Sequence, residues 1–318
     1  MSKFRFRGRR NKNKVPRPDQ IPLKAMIPNL ITSMAACGGI TAIAVSAMNY
    51  ALTLAGKLPL DSEAYNDRWK LGFIALLVAC LCDAMDGRVA RLLKASSKLG
   101  AELDSLADFV NFGVAPAMFL YFWVLSGGCV NGVQTISLGV QNCMLAFALF
   151  YAMCDAFRLA RFNTMLEQPT VPYWKHFFLG VPAPGGCWMV MTPALLALSL
   201  GSVLSTSQMA NHVLPTLRSP TCAMFMLFLV GALMASRLPT PSFKSIHVTR
   251  KYAMPTLGLL LLLIAFFVTN FWLTFGVIGA LYIMTVPVVC SIFLKVRAKY
   301  LRDHGDPKTE SQTQPSAS

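Results

Sequence analysis

Four aspartates, Asp83, Asp86, Asp104 and Asp108, fall within 26 residues of a chain that has only 14 acidic residues among 318. Asp83 and Asp86 are spaced i, i+3 and Asp104 and Asp108 i, i+4, so on helices each pair shares one face. Gly87 and Ala90 flank the first pair, and Gly100 lies one turn before Asp104. Small residues on facing stripes let two membrane helices approach closely. A turn through Lys94–Leu99 would fold the two helices into a hairpin and bring the four carboxylates together. Ionised carboxylates at such range repel, and hard divalent cations with oxygen ligands, Mg²⁺ or Mn²⁺, resolve the repulsion. Two such ions about 3.5–4 Å apart clamp the attacking and leaving oxygens of a phosphoryl transfer. No His or Cys belongs to the cluster, which argues against zinc. Two other readings compete. The acids could pair with Arg88, Arg91, Lys94 and Lys98, or the chain could be a divalent-cation transporter or channel, which also places acids in membrane helices. A transporter would not need the Gly/Ala/Arg pattern around them.

The elements that must position these residues are membrane helices. Of the chain, 55% is hydrophobic and 14% charged, against about 25% charged in soluble proteins. Mean hydropathy is +0.52, which points to an all-α polytopic membrane protein. Apolar stretches cover about Ala25–Gly56, Leu71–Cys82, Val110–Leu125, Gly139–Cys154, Phe177–Leu204, Pro220–Ser236, Met254–Phe271 and Leu273–Leu294. The first is too long for a signal-peptide core and reads as a retained span. The second and third reach full length only if helix 2 continues through Asp83–Lys94 and helix 3 begins near Gly100. The expectation is therefore about eight transmembrane helices, with the acidic site at the cytoplasmic ends of helices 2 and 3. Phe271-Trp272 marks an interfacial turn between the last two.

Charge sets the orientation. With eight spans, 25 of the 29 Lys/Arg fall on the side that carries both termini, and Lys57, Arg68, Lys70 and Arg218 on the other. The positive-inside rule makes the first side cytoplasmic. Residues 1–24 form a basic arm with nine Lys/Arg and one acid. Beside a span it reads as a topology signal or a contact with anionic headgroups rather than a nucleic-acid-binding arm. Residues 25–302 form the transmembrane domain, and 303–318 a polar, disordered tail. The nine cysteines make no CxxC or Cys/His ligand pattern and read as small buried apolar residues. Nothing supports a Cys129–Cys143 bridge.

Asp83-x2-Asp86-Gly87-x2-Ala90-Arg91-x8-Gly100-x3-Asp104-x3-Asp108 resembles the complete signature of the CDP-alcohol phosphatidyltransferases. Within that family, Pro28-Asn29-Leu30-Ile31-Thr32, the run from Asp104 to Pro116, Arg158-Leu-Ala-Arg-Phe-Asn163, Gly180–Pro184 and Ser236–Lys244 look like the membrane-embedded phosphatidylserine synthases. The similarity spans about residues 25–250. Val181 stands where such enzymes usually carry Leu. The resemblance implies metal ligation by Asp83, Asp86, Asp104 and Asp108, with Asp108 also the general base. It implies CDP contacts from Gly87, Arg91, Asn29 and Thr32, and two divalent cations. It implies CDP-diacylglycerol and L-serine as substrates, a homodimer, and a bacterial inner-membrane location.

Chemistry agrees with the resemblance. CDP-diacylglycerol keeps its pyrophosphate at the membrane boundary and its chains in lipid, so a site at helix ends suits it. An alcohol is a poor nucleophile, and a base must take its proton. Arg158, Arg161 and Arg237 either flank spans as topology signals or bind the serine carboxylate or lipid phosphate, since a guanidinium suits both. Asp155 could hold one of them in place. Asn111, three residues beyond Asp108, either faces the acceptor pocket or makes a helix–helix hydrogen bond. Glycerol 3-phosphate, inositol phosphate or choline are the alternative acceptors. The first two would need extra basic residues and the last an aromatic cage.

Overall fold

A computed structural model describes residues 23–60, 62–95, 97–130, 132–165, 177–203, 208–236, 239–241 and 253–304. The first helix, α1 (Leu23–Leu54), packs along α2 (Glu63–Leu92). Their close approach is set by Gly38, where a Cβ would stand 3.0 Å from Ala79 Cβ and 3.2 Å from the Ala75 carbonyl oxygen. Polar residues of α1 are absorbed locally. Ser46 and Thr53 donate to the carbonyls of Ala42 and Asn49, and Asn49 bonds both the Arg68 carbonyl and Arg68 Nε.

The α2 helix begins at Glu63, eight residues before the apolar stretch at Leu71, because Ser62 caps it by accepting from Tyr65 N. Its 30 residues are long enough, at about 1.5 Å each, to carry charged turns beyond both ends of a bilayer core. At the other end the chain turns through Lys94, whose φ of 50° is a left-handed conformation. Ala95 N bonds the Ala90 carbonyl across that turn, closing the helix end as Schellman motifs do. Ser97 then caps α3 (Lys98–Asp108) by accepting from Gly100 N. The hairpin expected through Lys94–Leu99 is present.

A π-helical segment, Phe109–Val114, joins α3 to α4 (Ala115–Gly127) in one continuous run of 30 residues, Lys98–Gly127. The wider turn alters the usual backbone bonding, and Tyr151 Oη donates to the Phe112 carbonyl at 2.9 Å. Around α4 lies the aromatic centre of the core: Trp69 meets Phe119 edge-on at 5.3 Å, and Tyr65 and Trp123 are fully buried. Arg218 lies over both Tyr65 and Trp123, 5.2 and 5.6 Å from the ring centroids, a cation–π clasp at the end away from the acidic cluster.

Beyond a short hairpin of β1 (Cys129–Val130) and β2 (Val133–Gln134) come α5 (Leu138–Met165), β3 (Phe177–Leu179), α6 (Ala183–Val203), α7 (Gln208–Leu217), α8 (Pro220–Ala235), β4 (Pro239–Pro241), α9 (Ala253–Thr269) and α10 (Phe271–His304). The stretch Phe177–Leu204 is thus not one helix. Phe177–Leu179 pairs antiparallel with Pro239–Pro241, and Gly180, at φ +75°, turns the chain against the carbonyls of Met234 and Ser236. Both Cys129 and Cys143 are free thiols.

The protein is a mostly helical, multi-pass membrane protein. Among the described residues five helices are long and apolar enough to cross a bilayer: Met26–Leu54, Lys98–Gly127, Leu138–Thr164, Ala183–Gly201 and Phe271–Val289. Pro220–Ala235 and Met254–Thr269 are apolar but shorter. The basic arm, apart from Leu23 and Lys24, and the tail beyond residue 304 lie outside the described residues.

Overpacking a tight crossing costs about 1–3 kcal/mol. Gly38→Val should therefore lower the unfolding temperature of the detergent-solubilised protein by several degrees. Gly139→Ala, where an added Cβ meets nothing within 4 Å, should not. Equal melting of the two variants would show that α1 and α2 are not in contact through Gly38.

Candidate active site

The hairpin delivers Asp83 from α2 and Asp104 and Asp108 from α3 to one place. One carboxylate oxygen from each lies within 4.8 Å of the other two. All three side chains are half-buried, and Asp83 Oδ1 is buried with no hydrogen-bond partner among the described residues. Among those residues no Lys or Arg forms a salt bridge with any of the three, so pairing with Arg88, Arg91, Lys94 or Lys98 is not what compensates them. Three convergent oxygen donors, one orphaned, fit a hard divalent cation.

Asp86 is placed differently. It is 3% exposed, and its Oδ2 accepts from Thr32 Oγ1 at 2.5 Å while Oδ1 accepts from Gly87 N at 2.5 Å. The sequence expectation put all four carboxylates together. The structure brings three together and sets the fourth one helical turn away, bonded to α1. The same Thr32 hydroxyl lies 3.1 Å from the Pro28 carbonyl oxygen, so its one proton is shared between that carbonyl and Asp86.

A cavity of about 170 Å³ opens beside this cluster. Pro28, Asn29 and Thr32 line it from α1, Asp86, Gly87 and Ala90 from α2, and Ala95, Ser97, Gly100, Ala101 and Asp104 from the turn and α3. Three of the four residues expected to contact nucleotide, Asn29, Thr32 and Gly87, line this space. The fourth, Arg91, is exposed at its rim, with Nε bonded to the Gly87 carbonyl at 3.1 Å. The two signature glycines differ physically. A Cβ on Gly100 would stand 2.9 Å from Asn29 Oδ1 and 3.1 Å from Ser97 Oγ, whereas one on Gly87 would meet nothing within 4 Å. Packing explains Gly100 and leaves Gly87 unexplained by the protein itself.

The remaining expected residues fall on two sides of the π-helical segment. Asn111 is fully buried against Gly39 of α1, and neither amide atom has a hydrogen-bond partner. The helix–helix hydrogen bond weighed for it is therefore not made within the described residues. Arg158 lies on α5 with its NH1 atom 4.0 Å from Asp155 Oδ1. Arg161 NH1 reaches the Ser236 carbonyl at 3.5 Å, tying α5 to the end of α8. Arg237 lies outside the described residues. Nothing in the sequence marks Gly113, where a Cβ would stand 2.8 Å from Asp155 Oδ2, or Tyr151, or the Asn163–Ser105 bond of 3.1 Å between α5 and α3. No local pattern marks these contacts, since each joins residues 39 or more apart.

Residues 25–217 match the CDP-alcohol phosphatidyltransferase family. A protein of Mycobacterium leprae named CDP-diacylglycerol–serine O-phosphatidyltransferase is 32% identical over 263 residues, covering 82% of this chain and 73% of its own. The protein of the same name in Mycobacterium tuberculosis strain H37Rv is 31% identical over 266 residues, covering 82% and 77%. That of Helicobacter pylori strain 26695 is 34% identical over 174 residues, 54% of this chain and 61% of its own.

The two glycines give a direct test of the cavity. Gly100→Ala should lower the melting temperature, because Asn29 and Ser97 must shift. Gly87→Ala should melt like the wild type yet lose affinity for a cytidine nucleotide ligand at least about tenfold. A Gly87→Ala protein with unchanged nucleotide affinity would remove the cavity from the binding site.

Proposed function

The chain belongs to the CDP-alcohol phosphatidyltransferase family, and on that footing we propose that it transfers the phosphatidyl group of CDP-diacylglycerol to the hydroxyl of L-serine, giving phosphatidylserine and CMP. The observation that carries the proposal is the convergence of Asp83, Asp104 and Asp108 within 4.8 Å beside a cavity lined in part by the signature residues Asp86, Gly87, Ala90, Gly100 and Asp104. Serine as acceptor is supported by the names of the relatives, which share about a third of their residues with most of this chain.

Asp83, Asp104 and Asp108, with Asp86 behind them, would hold two divalent cations, Mg²⁺ or Mn²⁺, which when bound neutralise pyrophosphate oxygens. The chain's own groups do the rest. Thr32 holds Asp86 in place, and Gly87 leaves room for the nucleotide. Asn29 and Arg91 offer donors at the cavity wall and rim. Asp108, at the start of the π-helical segment, takes the proton of the serine hydroxyl as its oxygen bonds to the β-phosphorus. The bond from that phosphorus to CMP breaks in the same displacement.

The site lies at the cytoplasmic ends of helices 2 and 3 of an eight-span bundle, in which α2, α8 and α9 join the five long apolar helices. Support comes from the placing of 25 of the 29 basic residues on the side of the termini and the acidic hairpin. The location is the bacterial inner membrane, with residues 1–24 a cytoplasmic arm and 303–318 a cytoplasmic tail. A homodimer, as the family resemblance implies, completes the proposal.

Purified protein incubated with CDP-diacylglycerol, Mn²⁺ or Mg²⁺ and a panel of alcohols should release CMP and form phosphatidylserine from serine, and EDTA should stop it. Full turnover in EDTA would remove the metal from the account, and a different lipid product would change the acceptor. At Mn²⁺ concentrations that saturate the variant despite its weakened ligand, Asp108→Asn, nearly isosteric, should retain CDP-diacylglycerol binding and lose roughly 10²–10⁴-fold in transfer rate, the range of a general base. Transfer near the wild-type rate would assign the proton to another group.

A further inference from the structure

The buried pair Asp155–Arg158 is not used by the chemistry above. Asp155 is 0% exposed, and neither carboxylate oxygen has a hydrogen-bond partner among the described residues. Arg158 NH1 is 4.0 Å from Asp155 Oδ1, and Arg158 Nε is buried and also unpartnered. A charge-assisted hydrogen bond closes to about 2.7–2.9 Å when it can, and unsatisfied buried charges are costly. A carboxylate and a guanidinium held close but apart, each with vacant bonding positions, are complementary to a ligand that carries both signs of charge.

Their place in the fold points the same way. Gly113 follows Asp108 by five residues, about one turn of the π-helical segment, so the contact with α5 at Gly113 lies about one turn from Asp108. The absent side chain at Gly113 is what admits Asp155, whose Oδ2 would otherwise lie 2.8 Å from a Cβ. Both Asp155 and Arg158 are within electrostatic reach of Asp108.

We infer that Asp155 and Arg158 form a receptor for the zwitterion of the acceptor amino acid, Asp155 taking the α-ammonium group and Arg158 the α-carboxylate, with the hydroxyl left toward Asp108. This deepens the serine reading above and rests on it. One direct ion pair stretched to 4.0 Å is exchanged for two ligand-mediated ones, so both buried charges gain partners. Other acceptors satisfy at most one of them. A phosphorylated alcohol brings excess negative charge against Asp155, and a choline-type cation leaves Arg158 unpaired. Asp155 is then a specificity residue, and its negative charge discriminates among acceptors that share the hydroxyl chemistry.

The test separates ammonium recognition from structure. In the full-length protein, Asp155→Asn should raise KM for L-serine about tenfold or more, the fold-change of a lost charge-assisted hydrogen bond. KM for CDP-diacylglycerol should be unchanged, and Asp155→Glu should restore part of the serine affinity. A companion measurement on the wild type needs no variant to fold. 3-Hydroxypropionate, which is serine without the ammonium group, should compete with L-serine at a concentration at least about tenfold above the serine KM. Equal competition by 3-hydroxypropionate overturns the inference, as does an Asp155→Asn enzyme whose serine KM is unchanged or whose two KM values rise together. If the wild type forms no phosphatidylserine at all, the acceptor assignment itself fails, and that result is distinct from each of these.

Discussion

Carboxylates repel one another and resist leaving water, yet Asp83, Asp104 and Asp108 converge within 4.8 Å at the ends of helices in an apolar chain. Insertion of a single Asp at the centre of a bilayer helix costs roughly 2.5–3.5 kcal/mol, and convergence adds mutual repulsion to that. Most of the surrounding architecture can be understood as meeting this cost. Ser97 and the left-handed Lys94 turn the hairpin sharply enough to face α2 with α3. Gly100 removes the side chain that would push α3 off Asn29. Thr32 neutralises none of the charge but supplies a donor to Asp86, so the fourth carboxylate is satisfied by protein while Asp83 keeps an unpartnered oxygen. Fewer hydrogen-bond partners where ligands bind, and full satisfaction just behind, is a division that metal sites with structured surroundings need.

The π-helical segment is the second consequence of building a site here. A regular α-helix from Lys98 to Gly127 would rotate every residue after Asp108 relative to its neighbours. The wide turn over Phe109–Val114 instead aims Gly113 at α5 and Asn111 at α1. Tyr151 anchors the Phe112 carbonyl within it. Such segments recur at functional sites because they re-aim side chains without ending the helix.

Much of this was legible in the sequence, and the boundary is physical. The hairpin, its turn and the pairing of Asp104 with Asp108 follow from i, i+3 and i, i+4 spacing with small residues on the same stripes. The apolar stretches located α1, α8 and α9 closely at both ends, but they stopped well short of the polar last turns of α2, α5 and α10 and gave no sign of α7. The sequence did not reveal that α2 starts at Glu63, since its first turns are charged and only the Ser62 cap marks the start. Nor did it reveal the break at Gly180, because Phe177–Leu179 is as apolar as the helix that follows. The separation of Asp86 from the other three acids depends on Thr32, 54 residues away. Likewise the approach of Asp155 to Gly113 joins two helices whose register no local pattern encodes.

The proposed chemistry requires the three carboxylates to bind a divalent cation as a unit. Mn²⁺ titrated into the purified protein in lipid nanodiscs, read by the loss of its free-ion electron paramagnetic resonance signal, measures this without any turnover. Saturable binding in the wild type that is lost in Asp104→Asn, with the variant melting normally, is the result expected. Binding of equal strength in Asp104→Asn, or none in the wild type with CDP-diacylglycerol present, would contradict it.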